Sequence, residues 1–333
     1  MPKVFLTHPP EALEKYYGGK AIAALKQFAE VKFNPLGREL TMPELADAAQ
    51  DCAIIISYRQ TPGAAELFGL VPKLIAFSRC AIDIRNVDVA AASAHGILVT
   101  QASAGFINSV AEWCIGAMID LSRGISASAE AYHAGRVPVA AMGRELRGAT
   151  LGVIGYGQIS RALCPLAQAF GMRVIVSDPY ANVEHPAITP TALPQLLAEA
   201  DIVVCLAIAN DKTENLMNDA AFAQMKPGAF FINPSRGNLV DEAALLRALD
   251  SGRLAACAID VGRDPDQMPT PAVARHPQVI ATPHLGGLTP AAIEHQALET
   301  AAQAAEILQG RAPKGAVNPA QAARLTLLTR GNA

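Results

Sequence analysis

The chain has 333 residues, with 27 Lys and Arg against 30 Asp and Glu, 51% hydrophobic and 17% charged residues. That length suits two domains, and a chain so apolar and so lightly charged buries a core rather than staying disordered. A net charge of -3 and an aromatic content of 5% argue against a basic, phosphate-binding surface or a stacking platform, so no nucleic-acid partner is expected.

The opening stretch has no apolar signal-like core, and no run approaches the roughly 18 residues that span a bilayer. A cytoplasmic protein without membrane contact is expected. Cys52, Cys80, Cys114, Cys164, Cys205 and Cys257 are scattered without CxxC spacing. They read as reduced, buried thiols, and no metal site is expected.

In chain order, short β-rich runs fall at 4–6, 31–33, 53–57, 74–77 and 97–100, with helical stretches at 11–29, 43–49 and 87–93. Strands separated by helices need crossover connections, so this part reads as a parallel sheet. The segment 109–123, which carries Trp113, reads as a linking helix. A second series of strands follows at 151–154, 173–177, 202–206, 229–232, 256–260 and 279–282. Six parallel strands at this spacing predict a doubly wound dinucleotide-binding domain. A last long helix is expected over 289–309.

The first strand of that second series runs into Gly155-Tyr156-Gly157-Gln158-Ile159-Ser160. The first glycine permits a tight turn, and the second lets the backbone approach a pyrophosphate at the helix N-terminus. Ser160 stands where a third glycine is usual, a position of close helix–strand packing. Asp178 ends the next strand about 20 positions after Gly157, the distance of a ribose-binding acid. A carboxylate there accepts ribose hydroxyls and repels a 2′-phosphate, so the expected cofactor is NAD, with NADH preferred over NADPH.

Three later strands end in polar residues: Asn233-Pro234-Ser235-Arg236-Gly237, Asp260, and Thr282-Pro283-His284-Leu285-Gly286-Gly287. Ligands bind beyond the carboxyl ends of the strands in such a sheet. An arginine fork grips a carboxylate, and a histidine exchanges a proton near neutral pH. Together they suit hydride exchange between NAD and a 2-oxo or 2-hydroxy acid.

With these motifs, and with Met225–Gly237 followed by Val240-Asp241-Glu242, the sequence resembles the D-2-hydroxyacid dehydrogenase family over nearly its whole length. That family includes phosphoglycerate, glyoxylate/hydroxypyruvate and D-lactate dehydrogenases. The resemblance implies a Rossmann NAD-binding domain, 100–290, inserted into a flavodoxin-like substrate-binding domain, 1–99 plus 291–333. It implies that Arg236 anchors the substrate carboxylate and that His284 is the general acid and base. Asp260 matches the family's Asp near the nicotinamide carboxamide. Pro234, Ser235, Gly286, Ala207 and Thr213 fall on segments that pass along the cofactor.

Two departures stand out. The family places a Glu before a Pro to pair with the catalytic His. Here Asp264 precedes Pro265. Asp264 is the expected partner, with Asp266, a water-mediated contact or no carboxylate as alternatives. The second departure is 77–83, where relatives carry a glycine-rich turn whose amides bind the carboxylate. Cys80 and Ala81 are left to present amides there, and Cys80 is also one of the thiols above. Tyr58 and Arg59 match positions that read the substrate's variable group, and Phe106 is a candidate lining residue. The family's linking helix forms a dimer, so a homodimer through 109–123 is expected, with Trp113 either an interface anchor or a core residue. The competing readings are a dehydrogenase of another small anion and an NAD-sensing binding protein on the same fold.

Overall fold

The computed structural model describes residues 1–330, which divide into two compact units. One comprises Met1–Gly105 with the chain from Pro290 onward, and the other Phe106–Thr289.

The first unit holds five parallel strands, β1 (Lys3–Leu6), β2 (Glu30–Phe33), β3 (Ile54–Ser57), β4 (Ala76–Arg79) and β5 (Leu98–Gln101), in the order β2-β1-β3-β4-β5. This is the flavodoxin-like order. Successive side chains alternate faces. Val4, Leu6, Ile54, Ile56, Ala76 and Leu98 therefore face one core with Tyr17, Leu25, Ala301 and Ile307. Phe5, Ile55, Phe77 and Val99 face the other with Leu45, Leu67, Phe68 and Leu74. The helix Pro290–Leu308 belongs to the first of these layers, which is how the chain's last part returns to this unit.

The unit extends to residue 105 because the segment after β5 is tied to that helix. Glu299 accepts from the Ser103 amide at 2.6 Å and its hydroxyl at 2.7 Å. A Cβ on Gly105 would come within 2.6 Å of the His295 ring, so only glycine passes there. The single helix expected over 11–29 is two, Pro10–Tyr16 and Gly19–Lys26. Gly18 separates them at φ +83°, a conformation that suits glycine.

The second unit holds seven parallel strands, β6 (Thr150–Ile154), β7 (Arg173–Ser177), β8 (Ile188–Pro190), β9 (Ile202–Cys205), β10 (Ala229–Asn233), β11 (Leu254–Ile259) and β12 (Val279–Ala281). Their order is β12-β11-β10-β9-β6-β7-β8. It is the Rossmann order with one added edge strand. The short strand β8 is the one absent from the sequence reading. Its Pro190 lacks an N–H for a further ladder, which fits a sheet edge. The long helix Ile107–Arg123 buries Val110, Ala111, Cys114, Ala117 and Met118 against this sheet, and Trp113 packs against the same core. Among the described residues, no helix is long and apolar enough to cross a membrane.

Candidate active site

In the second unit the topological switch point lies between β6 and β9, whose carboxyl ends carry the glycine turn and Leu206–Ala207. Gly155 has φ +91°, and a Cβ there would meet the Leu206 carbonyl oxygen at 2.7 Å. The turn is therefore pressed onto the backbone after β9, and only glycine fits. A Cβ on Gly157 meets nothing within 4 Å. This open approach lies at the N-terminus of the 12-residue helix Gln158–Ala169, where amides and dipole favour a phosphate. The exposed Gln158 and half-buried Ile159 form that helix's first turn.

Ser160 explains its own departure from the glycine pattern. It is fully buried, and its Oγ donates to the Gly155 carbonyl at 2.6 Å. A separate close helix–strand approach occurs at Gly152, whose Cβ would lie 2.7 Å from Leu196 of the helix Leu193–Glu199.

Asp178 accepts from the amides of Tyr156 at 2.7 Å, Tyr180 at 2.8 Å and Ala181 at 3.0 Å. Burial pushes its carboxyl up, but these amide donors outweigh burial and hold it below the ordinary carboxylate range. It stays ionised. With about four acceptor positions on a carboxylate, one remains for a ribose hydroxyl. Tyr156 itself is buried, with the Arg161 guanidinium 4.4 Å over its ring.

After β10, Asn233 braces the arginine turn from inside. Its Oδ1 accepts from Ser235 N at 3.1 Å and its Nδ2 donates to Arg236 O at 2.9 Å. Pro234 is buried, and Ser235 Oγ donates to the Ala207 carbonyl at 2.9 Å, tying this turn to the one after β9. Arg236 is half-buried, with Nη1 on the Ser235 carbonyl at 2.7 Å. Behind it, a Cβ on Gly237 would stand 2.0 Å from the Gly262 carbonyl, and one on Gly262 would stand 2.5 Å from Pro269. Backbone packs directly on backbone here. Thr213 closes its own loop, donating to the Ile208 carbonyl at 2.7 Å and accepting from Asn210 N at 2.9 Å.

Asp260 is buried after β11 and organises the histidine loop. Its Oδ1 accepts from Thr282 Oγ1 at 2.6 Å and Leu285 N at 2.8 Å, and its Oδ2 from Gly286 N at 2.8 Å. His284 N reaches the Asp260 carbonyl at 3.0 Å. Gly286 packs toward Asp260 and Trp113, and Gly287 toward Phe106. Trp113 and Phe106 thus support the histidine loop from within the unit.

The structure does not bring Asp264 to His284. His284 Nδ1 lies 3.1 Å from the backbone carbonyl of Asp266. Among the described residues no hydrogen bond or ion pair joins the Asp264 carboxylate to the ring. Asp264 is one methylene shorter than Glu, and its segment closes on itself, with Asp264 N on the Met268 carbonyl at 3.1 Å.

In the first unit, Thr7 and His8 follow β1 and Tyr58 follows β3, again at the switch point. Tyr58 N donates to Thr7 Oγ1 at 2.8 Å, and its ring stands 5.2 Å from His8 and 5.8 Å from Tyr16. The residue that builds this end is Arg79, 4% exposed, which the sequence reading passed over. Its Nε donates to Asp83 O at 3.0 Å, Nη1 to Tyr58 O at 2.5 Å, and Nη2 to Arg59 O. Burial lowers its pKa to about 10, which leaves the guanidinium charged. In place of the glycine-rich turn that 77–83 lacks stand this cation and a pair in which Arg85 Nε lies 3.0 Å from Asp83. Cys80 packs on the unit's core, where burial pushes its thiol up to about 12, and Ala81 is half-buried beside it.

Fold and site define a dinucleotide-binding α/β protein with Arg236 and His284 presented after β10 and β12, the two strands that flank β11. The model for the D-isomer specific 2-hydroxyacid dehydrogenase NAD-binding domain matches residues 115–286. D-3-phosphoglycerate dehydrogenase of Rattus norvegicus is 34% identical over 285 residues, covering 84% of this chain and 53% of that one. The chain spans about half the length of the curated relatives it matches. The TT0316 protein of Thermus thermophilus superposes with a TM-score of 0.82 at 27% identity, covering 95% and 99% of the two chains. Apo D-lactate dehydrogenase of Escherichia coli shares the fold, with a TM-score of 0.82 at 24% identity over 95% and 100%. The chain belongs to the D-isomer specific 2-hydroxyacid dehydrogenase family.

Proposed function

We propose that this protein is an NAD-dependent oxidoreductase that interconverts a small 2-oxo acid and its D-2-hydroxy acid. The observation that carries this reading is the bracing of Arg236 after β10 and His284 after β12, the strands flanking β11, by Asn233 and Asp260 respectively. Arg236 grips the substrate carboxylate and polarises the 2-oxo group. His284 gives its Nε2 proton to the 2-oxygen in reduction and takes it back in oxidation. Asp260 keeps that ring aimed by fixing its loop. Bound NADH supplies the hydride to C2.

The cofactor is held by Gly155, Tyr156, Gly157, Gln158 and Ile159 along the pyrophosphate and by Asp178 at the ribose. Ala207, Thr213, Pro234, Ser235 and Gly286 line its path. The ionised Asp178 favours NADH over NADPH, since a 2′-phosphate would meet like charge.

In the first unit, Tyr58, Arg59, Cys80 and Ala81 are the residues proposed to contact the substrate. Trans peptides point N–H and C=O in opposite directions. The carbonyls of Tyr58, Arg59 and Asp83 aim at Arg79, so the amides of Arg59, Gln60 and Ile84 point away from it. That arrangement offers donors to an anion.

A homodimer through 109–123 is part of the reading, and exposed apolar side chains just beyond the helix Ile107–Arg123 support it. Tyr132, Val137, Val139 and Met142 are exposed there, which is costly for an isolated chain. All six cysteines are free thiols, which suits the reducing cytoplasm.

A panel of 2-oxo acids with NADH and with NADPH tests the reading. NADH oxidation with at least one acid is expected. No turnover with any would contradict the reaction, and a preference for NADPH would contradict the role of Asp178.

A further inference from the structure

We propose that the Asp266–Gln267 turn is the positioning device shared by Arg236 and His284, with a main-chain carbonyl in place of a catalytic carboxylate. The inference rests on the reaction proposed above, and it assigns how this chain orients its proton-transfer group without the Glu that its relatives carry.

Asp266 and Gln267 lie consecutively in the left-handed region, at φ 60° and 61°, and His284 at 51°. Non-glycine residues are strained there and persist where surrounding structure dictates them. The strain places the Asp266 carbonyl 3.1 Å from His284 Nδ1. A carbonyl only accepts, so Nδ1 carries the proton and Nε2 is the atom that exchanges one with substrate.

The same turn reaches the arginine. Gln267 Oε1 accepts from Gly237 N at 3.3 Å, next in sequence to Arg236. The Gln267 carbonyl accepts from Gly262 N at 2.9 Å, on the segment against which Gly237 packs backbone to backbone. One turn therefore holds the ring through its first residue and the arginine loop through its second. A carbonyl does not titrate, so this hold on the ring persists at every working pH.

The test separates carbonyl from carboxylate. Asp266→Gly and Asp266→Asn both tolerate positive φ and retain the carbonyl. Both are expected to retain at least about tenfold more kcat than Asp266→Val, which disfavours that conformation and loses roughly 100-fold in kcat with NADH affinity intact. Gln267→Ala is expected to raise KM for the oxo acid roughly tenfold with a smaller effect on kcat, and Gln267→Glu, which keeps an acceptor oxygen, to restore most of it. A loss of kcat in Asp266→Asn matching that in Asp266→Val would overturn the proposal, as would a fully active Asp266→Val. Nitrogen-15 NMR of the ring in the wild-type protein reads the tautomer whether or not Asp266→Val folds and whether or not any oxo acid is reduced. Neutral His284 protonated on Nδ1 is expected, and protonation on Nε2 refutes the assignment.

Discussion

The two units build their strand-end loops with opposite polarity. In the NAD-binding unit, buried or half-buried carboxylates accept backbone N–H groups. Asp178 takes three, and Asp260 takes two together with a threonine hydroxyl. In the first unit a buried guanidinium donates to three backbone carbonyls. A carboxylate inside a loop fixes the loop and leaves local negative charge, which suits ribose hydroxyls and repels an extra phosphate. A cation inside a loop fixes it equally well and turns amides outward, which suits a carboxylate ligand. The same structural task is solved twice, and the sign of the buried charge matches the ligand each side is proposed to face.

The comparison can be broken most severely at the proton donor. His284→Ala is expected to lower kcat by roughly 10²–10⁴-fold with NADH binding unchanged in a fluorescence titration. Lost binding would make the residue a structural part of the loop instead. Arg79→Met removes the donors for three carbonyls. It is expected to cost the first unit roughly 3 kcal/mol in denaturant unfolding and to raise KM for the oxo acid, while NADH affinity holds. A fall in NADH affinity would show that the two loop systems are not independent.

Asp260→Asn places an amide donor among donors. A loss of about 2 kcal/mol and a drop in kcat are expected, with NADH affinity nearly unchanged. If NADH affinity falls while stability holds, Asp260 acts on the cofactor and not on the histidine loop.

His8 sharpens the contrast through pH. It is buried beside the Arg79 charge, and its Nδ1 has no hydrogen-bond partner among the described residues. Burial, then Arg79, lowers its pKa from 6.5 to about 3. The unfolded chain therefore binds the proton first. Stability is full above about pH 6.5 and is lost as the pH falls toward about 3. His8→Gln should flatten this dependence in urea titrations across that range, and an unchanged slope would assign it to other groups. The smallest expected effect is Ser160→Ala, about 1 kcal/mol, from losing the bond to the Gly155 carbonyl.

Much of this was legible in the sequence. Apolar runs marked eleven of the twelve strands, and Gly155, Gly157 and Asp178 stood at readable spacing. The fourth strand was read over 74–77, whereas it runs Ala76–Arg79. Hydropathy hides a strand end whose polar residues are satisfied inside the fold. Ser78 Oγ meets Thr100 Oγ1 at 3.0 Å, and Arg79 is matched by carbonyls far from it in sequence. Asn233 was quoted in its motif, and its position before a turn, where Asx residues brace the backbone, was the signal for its role. The partner of His284 had no signal. A backbone carbonyl has no side-chain signature, and Gln267 is not a residue whose identity announces a left-handed conformation.

The central claim, that Arg236 and His284 direct a hydride exchange on a 2-oxo acid, is tested most directly by following the transferred atom. NADH carrying deuterium at both nicotinamide C4 positions, incubated with the protein and the preferred 2-oxo acid, should yield the D-2-hydroxy acid with deuterium at C2. Product without deuterium at C2, or of the L configuration, would contradict it.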